Sequence, residues 1–208
     1  MARYRDAVCR LCRREGMKLF LKGERCFTPK CSIQRRNQPP GMHPWNRGSK
    51  KDYGKQLREK QKAKRYYGIL DSQFKKYFKE AERLKGDTGQ NLLILLERRL
   101  DNVVRRLGFG VSIAQARQLV VHRHIMVNGK IVDRPSYQVK QGDIIAPSSK
   151  ESSQKLVKEN LELGQGLEMP TWLNLDAESL QGTVVEMPIR DEIPIEIHEQ
   201  LIVEFSSR

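Results

Sequence analysis

Residues 112–145 read "SIAQARQLVVHRHIMVNGKIVDRPSYQVKQGDII", and the order of signals in this stretch decides the fold. Ser112 followed three residues later by Gln115 is a capping-box pattern, in which the hydroxyl caps the helix start and the amide reaches back. Ile113, Ala116, Leu119 and Val120 then share one helical side at three- and four-residue steps, with Gln115 and Gln118 facing away and Arg117 at the stripe's edge. Beyond His124 the period changes. Asn128-Gly129 lies between two β-prone triplets, the strongest short-range signal of a hairpin. A further strand pair is expected around Gly142-Asp143.

Downstream, residues 153–163 have helical spacing with Leu156, Val157 and Leu161 inward. "TWLNLD" and "GTVVEMP" read as short strands. The tail "HEQLIVEF" fits helix or strand equally. Upstream, "TGQNLLILLERRLDNVVRRLGFG" places Leu93, Leu96, Leu100, Val103 and Leu107 on one stripe, as one helix or two meeting near Leu100. Phe74, Tyr77, Phe78, Ala81 and Leu84 recur at helical steps before a stop at Gly86. "KKDYGKQLREKQKAKRYYGI" has helix formers but little apolar face. A helix polar almost all round needs a partner to hold it. Before it lie "QPPGMHPWNRGSK", a Pro/Gly-rich connector, and an irregular first segment.

Charge is unevenly distributed along the 208 residues. Residues 1–65 carry 20 Lys/Arg against 5 Asp/Glu, residues 66–150 carry 15 against 8, and residues 151–208 carry 4 against 12. The net +14 implies self-repulsion unless a polyanion neutralises it, and nucleic acid is the favoured partner over an anionic membrane. The longest apolar run is the five residues "LLILL" at 92–96, far short of the ~20 that span a bilayer. "MARYRDAVCR" lacks a secretory leader's apolar stretch. An intracellular protein is expected, where structural disulfides are unusual.

All four cysteines, Cys9, Cys12, Cys26 and Cys31, fall within 23 residues, as C-x-x-C and C-x-x-x-x-C pairs. Two short pairs separated by a loop suit tetrahedral metal coordination, each pair gripping from one knuckle. Arg10, Arg13, Lys22, Arg25 and Lys30 lower the cost of thiolate charge. With no evident core, this arm would draw folding free energy from the metal. Zinc is the expected ion; the same sulfurs could hold an iron–sulfur cluster. A zinc deaminase would need H-x-E and P-C-x-x-C, and neither occurs. No Ser/His/Asp or Cys/His constellation, P-loop or dinucleotide fingerprint is present.

Residues 112–145 closely resemble the S-four RNA-binding fold, a module shared by a ribosomal protein, some pseudouridine synthases and bacterial tyrosyl-tRNA synthetases. The flanking stretches narrow the match. "MARYRDAVCRLCRREGMKLFLKGERCFTPKC", "DYGKQLREKQKAKRYYGI", "RRLDNVVRRLGFG", "HEQLIVEF" and the final "SSR" resemble, in order, the bacterial S-four family of small-subunit ribosomal proteins. The cysteines match that family's metal-binding branch. Where the family commonly has a basic residue and a Gly, this chain has Gln115 and Arg123, and its connector reads "MHPWNRG" where His-Gly is more usual.

The resemblance implies an α+β fold: a metal-knuckle N-terminal arm (1–45), a helical domain (46–97, completed by 185–208) and an inserted α/β RNA-binding module (98–184). It implies a non-enzymatic constituent of the cytoplasmic small subunit. That constituent would bind 16S rRNA as a monomer, nucleate assembly of the 5′ domain, and lie beside ribosomal proteins S-five and S-three near the mRNA entry channel. Contact with S-five would influence decoding accuracy. An RNA-modifying enzyme and a zinc-dependent nucleic-acid regulator are the alternatives; the first lacks room for a catalytic domain, the second a recognition helix. Expected RNA contacts are Arg47, Lys50, Lys51, Tyr53, Lys55, Arg58, Lys62 and Arg65, because that segment has no core to explain its composition. In the module they are Ser112, Gln115, Arg117, Gln118, His122, Arg123 and His124. Cys9, Cys12, Cys26 and Cys31 would bind the metal.

Overall fold

The computed structural model describes residues 4–43, 51–163 and 169–207. It divides into two compact units: the chain up to Leu92 together with the segment from Ile195, and Leu93–Pro194. The N-terminal arm falls within the first of these units.

The first unit begins with α1 (Cys9–Glu15), a 3-10 turn (Gly23–Cys26) and α2 (Ser32–Arg35), so the arm expected to be irregular contains short helices. It also has a small buried centre, since Leu19 and Leu21 are buried with Cys12, Cys26 and Cys31. Helix α3 (Asp52–Tyr66) follows, then α4 (Asp71–Arg83) and the start of α5 (Thr88–Glu97). On α4, Phe74, Tyr77, Phe78 and Ala81 are buried as their spacing predicts. Leu84 is exposed, because the helix ends at Arg83.

The undecided tail is a helix, α9 (Glu199–Ser206). It packs on α3, where the Gln56 amide donates to Glu204 at 2.7 Å. The Glu59 carboxylate accepts from the backbone N–H of His198, at the helix start, at 3.2 Å. That carboxylate satisfies a donor otherwise orphaned at a helix N-terminus and complements its dipole. The start of α5 approaches α9 closely: a Cβ on Gly89 would lie 2.8 Å from Glu199.

The second unit has α6 (Leu100–Arg106), α7 (Ile113–Val121), β1 (Ile125–Val127), β2 (Lys130–Ile131), β3 (Ile144–Pro147), α8 (Glu151–Leu163), β4 (Leu173–Asp176) and β5 (Gln181–Val184). The strands form one antiparallel sheet in the order β2-β1-β3-β5-β4. Asn128 and Gly129 link β1 to β2 with φ 50° and 74°, the two positive values of a primed hairpin turn. The amide of Asn128 donates to Asp143 (2.8 Å) and its oxygen accepts from Ile144 (2.8 Å). Leu100, Val103, Val104, Ala116, Leu119, Ile125, Ile145, Val157 and Trp172 share the buried core.

The expected strand pair around Gly142 does not form: only β3 is a strand there. The preceding residues run instead past the α5–α6 junction, where Gln138 bridges Arg99 and the carbonyl of Tyr137 accepts from Leu100 N–H at 2.9 Å. Pro135 accepts likewise from Asp101 at 3.3 Å. The apolar stripe therefore breaks into two helices, because the first-turn donors of α6 find partners in 135–137 rather than in α5.

Candidate nucleic-acid interface and cysteine cluster

The premise that α3 lacks a core is corrected by its neighbours. Gln56, Lys60, Ala63 and Tyr66 are buried, and Tyr66 meets Tyr67 edge-on at 5.0 Å. Its cations largely face carboxylates of the same unit. Arg58 and Arg65 both pair with Glu15, whose side chain is 2% exposed. Burial pushes that carboxyl upward, and Arg65 and Arg58 pull it back. Lys62 pairs with Glu59 at 2.8 Å, Lys55 with Asp52 at 3.0 Å, and Lys60 with Asp71 at 3.0 Å. Arg58, Lys62 and Arg65 thus hold the fold before they can hold phosphate. Lys51 and Tyr53 are exposed, with the Tyr53 ring 5.4 Å from Phe205. Arg47 and Lys50 lie outside the described residues.

In the module, Ser112 caps α7 by accepting from Gln115 N–H at 3.3 Å. Gln115 does not face away. Its oxygen accepts from Val111 N–H (2.9 Å), one residue earlier than the capping box predicts, and its amide donates to Asn160 (3.0 Å). Asn160 in turn donates to the Phe109 carbonyl at 2.8 Å. Arg117 also turns inward, 3.5 Å from Asp101, which is fully buried and clamped by Arg99 at 3.0 and 2.6 Å. Burial raises the Asp101 carboxyl, while Arg99 and Arg117 oppose it.

Gln118, His122 and Arg123 are exposed and gather at the end of α7. The half-buried His124 ring shares a 2.8 Å hydrogen bond with Ser153. Arg123 has φ 63°, a left-handed conformation that favours glycine. Its guanidinium reaches Asp133 at 3.2 Å on the surface.

Three of the cysteines are buried and Cys9 is half-buried. Burial raises the thiols of Cys12 and Cys26, and each also feels the charge of Cys9 and Cys31, so the four sulfurs are electrostatic neighbours. Backbone N–H groups of Leu19 and Lys22 point at Cys12 and Cys26, the second at 3.4 Å. Such donors stabilise thiolate over thiol. Among the described residues no group of three or more His, Cys, Asp or Glu side chains is placed to hold a metal ion.

The family model "Ribosomal protein S4/S9 N-terminal domain" matches residues 3–97, and the model "S4 domain" matches residues 98–145. "Small ribosomal subunit protein uS4A" of Alkaliphilus oremlandii is 58% identical over the full length of both chains. Proteins named "Small ribosomal subunit protein uS4" from Thermodesulfovibrio yellowstonii and Acetivibrio thermocellus are 54% and 56% identical, again over the full length of both. The chain belongs to the uS4 family.

As a uS4 chain it is a structural, rRNA-binding constituent of the small ribosomal subunit. No helix among its described residues is long and apolar enough to cross a membrane. Exposed cations in its N-terminal unit are not confined to the expected set, and α4 carries several. Lys76, Lys79 and Arg83 on α4 are exposed and make no ion pair among the described residues, and Lys75 makes a long one to Asp71 at 3.6 Å. The signal was present, since a buried stripe through Phe74, Tyr77, Phe78 and Ala81 turns the intervening lysines outward.

Proposed function

We propose that this uS4 chain grips 16S rRNA through two exposed basic surfaces and carries a zinc ion in its N-terminal knuckle. One surface is the outer face of α4 with Lys51 and Tyr53. The other is the end of α7, where Gln118, His122 and Arg123 stand free of the core. The observation that carries this reading is the contrast within one unit: α3 cations face internal carboxylates while α4 cations face solvent. Unpaired cations release counterions from a nucleic-acid backbone, whereas paired ones must first give up a carboxylate.

The role extends to nucleating the 5′ domain of the subunit. It extends also to contact with ribosomal proteins S-five and S-three near the mRNA entry channel, and through S-five to decoding accuracy. Family membership supports these. For zinc, the support is three buried cysteines, their mutual electrostatic influence and the N–H groups aimed at Cys12 and Cys26. Occupied, the site would draw the four sulfurs inward as thiolates and fasten α1 to the 3-10 turn and the start of α2.

Binding of the full chain to a 5′-domain 16S fragment across a salt series, with tRNA and duplex DNA as competitors, tests the RNA reading. Neutralising Lys76 and Lys79 together should weaken binding and reduce the log–log salt slope by about 2. Neutralising Arg58 and Arg65 should act chiefly on stability. Equal affinity for all three polyanions would overturn the assignment of specific rRNA recognition.

A further inference from the structure

A cavity of about 420 Å³ opens in the first unit, between α3, α4 and α9. Phe74, Phe78 and Phe205 give it apolar walls, and Lys60, Lys75 and Lys79 line it with ammonium groups. Lys60 is 7% exposed. Its ammonium is held 5.1 Å from the Phe205 ring centre and 6.0 Å from that of Phe74, and it pairs with Asp71 at 3.0 Å. Glu82 adds one carboxylate to the lining.

Apolar aromatic walls beside solvent-facing ammonium groups suit a planar ring that carries an anion. The volume lies within the range of small-molecule sites, and a cationic groove with aromatic side chains is how unpaired bases are held. Glu82 repels phosphate but accepts from an exocyclic amine. One ligand class meets all three demands.

We propose that this cavity receives a single unstacked nucleotide of RNA. Its base enters between the phenylalanine rings with an amino group toward Glu82, and its phosphate rests on Lys75 and Lys79. The flanking backbone then runs along Lys76 and Arg83, which extend the same basic face. An amino-bearing base, adenine above all, is preferred over uracil. The proposal rests on the rRNA reading and adds to it a point where one base leaves the stack.

The test titrates the full, metal-loaded chain with adenosine 5′-monophosphate, uridine 5′-monophosphate and ribose 5-phosphate, followed by backbone NMR shifts. The adenine nucleotide should shift resonances around Lys60, Lys75–Lys79, Glu82 and Phe205, with at least threefold weaker response to the uracil nucleotide. Ribose 5-phosphate should be weaker still. Equal responses to all three would reduce the site to a simple anion patch and overturn the proposal, as would adenine shifts centred elsewhere.

Two variants are then measured on the 5′-domain rRNA fragment. Phe205→Leu should lower affinity about tenfold, the scale of one lost stacked base. The exposed Lys79→Gln cannot be blamed on misfolding and should lower the salt slope by about 1. Tight rRNA binding unchanged by Phe205→Leu would defeat the cavity proposal and leave rRNA recognition standing, whereas binding unchanged by Lys79→Gln as well would also remove α4 from the rRNA surface. Failure of the unaltered chain to bind the fragment would defeat the rRNA reading itself.

Discussion

Replacing Asp101 with Ala removes the carboxylate at the centre of a buried cluster. Asp101 has no exposed surface, accepts from Arg99 at 3.0 and 2.6 Å, and faces Arg117 at 3.5 Å. Arg99 is itself 1% exposed, so the variant takes from a desolvated guanidinium the carboxylate that clamps it through two hydrogen bonds. Breaking a buried pair from one side costs about 3–5 kcal/mol. At roughly 4–8 °C per kcal/mol for a domain of this scale, the melting point should fall by more than about 10 °C.

Trp172 reports on this unit, being 3% exposed in the same core as Leu100 and Val103. Urea unfolding of the full chain can be followed by its fluorescence in a Trp45→Phe background. Asp101→Leu combined with Arg99→Met should recover most of the loss, because an apolar pair needs no counter-charge. Arg117→Met should cost much less in the Asp101→Ala background than in the original chain. A loss below about 1 kcal/mol for Asp101→Ala would mean that Arg99 reaches water or another acceptor, and would refute the treatment of Asp101 as the organising charge.

Other outcomes follow from separate features. Gly182→Ala would place a Cβ 2.4 Å from a Leu107 methyl that is 1% exposed. It should destabilise the chain by about 1–3 kcal/mol, with partial recovery in Gly182→Ala/Leu107→Val, both read by thermal melts. The Lys60 hydrogen bond holds the Asp71 carboxyl below its ordinary 3.8. Its stabilising contribution is therefore present above that pH and disappears as the pH falls through the depressed value. The stability gap between the original chain and Asp71→Asn should close on acidification below 3.8 in pH-dependent urea melts. If the proposed zinc is bound, a chelator should make the segment around Cys9–Cys31 protease-sensitive and remove one equivalent of metal from elemental analysis. An arm equally resistant with and without chelator would show that Leu19 and Leu21 suffice to hold it.

What the sequence revealed depended on how locally each signal acts. The Ser112 cap, the α7 stripe and the Asn128-Gly129 turn were legible because each is decided within a few residues. Helix α3 was misread because the groups that answer its charges are remote: Glu15 lies 43 and 50 positions from Arg58 and Arg65, and Glu204 lies 148 from Gln56. A basic composition looked unowned until the fold supplied those carboxylates. Gln115 was misplaced for a related reason, since its amide answers Asn160, 45 residues away. The Gly142 turn was legible but its pairing was not, because 137–139 found partners at the α5–α6 junction. The site shows the same division. The α7 end remained at the surface as its spacing implies, whereas availability on α3 and α4 was settled by ion pairing that no periodicity encodes.

The hairpin tip carries a consequence for chemical ageing. An asparagine followed by glycine is the dipeptide most open to succinimide closure, because no side chain shields the attacking nitrogen. At Asn128 both ends of the amide are engaged, the nitrogen by Asp143 and the oxygen by Ile144 N–H, each at 2.8 Å. Those bonds keep the carbonyl carbon from rotating into reach of its neighbour. Were deamidation to occur, a new carboxylate would face Asp143 where a donor had been, and the tip would come away from β3. The residue that pins the sheet's register is thus preserved by the contacts it makes, and the folded protein should outlast its unfolded chain at this one bond.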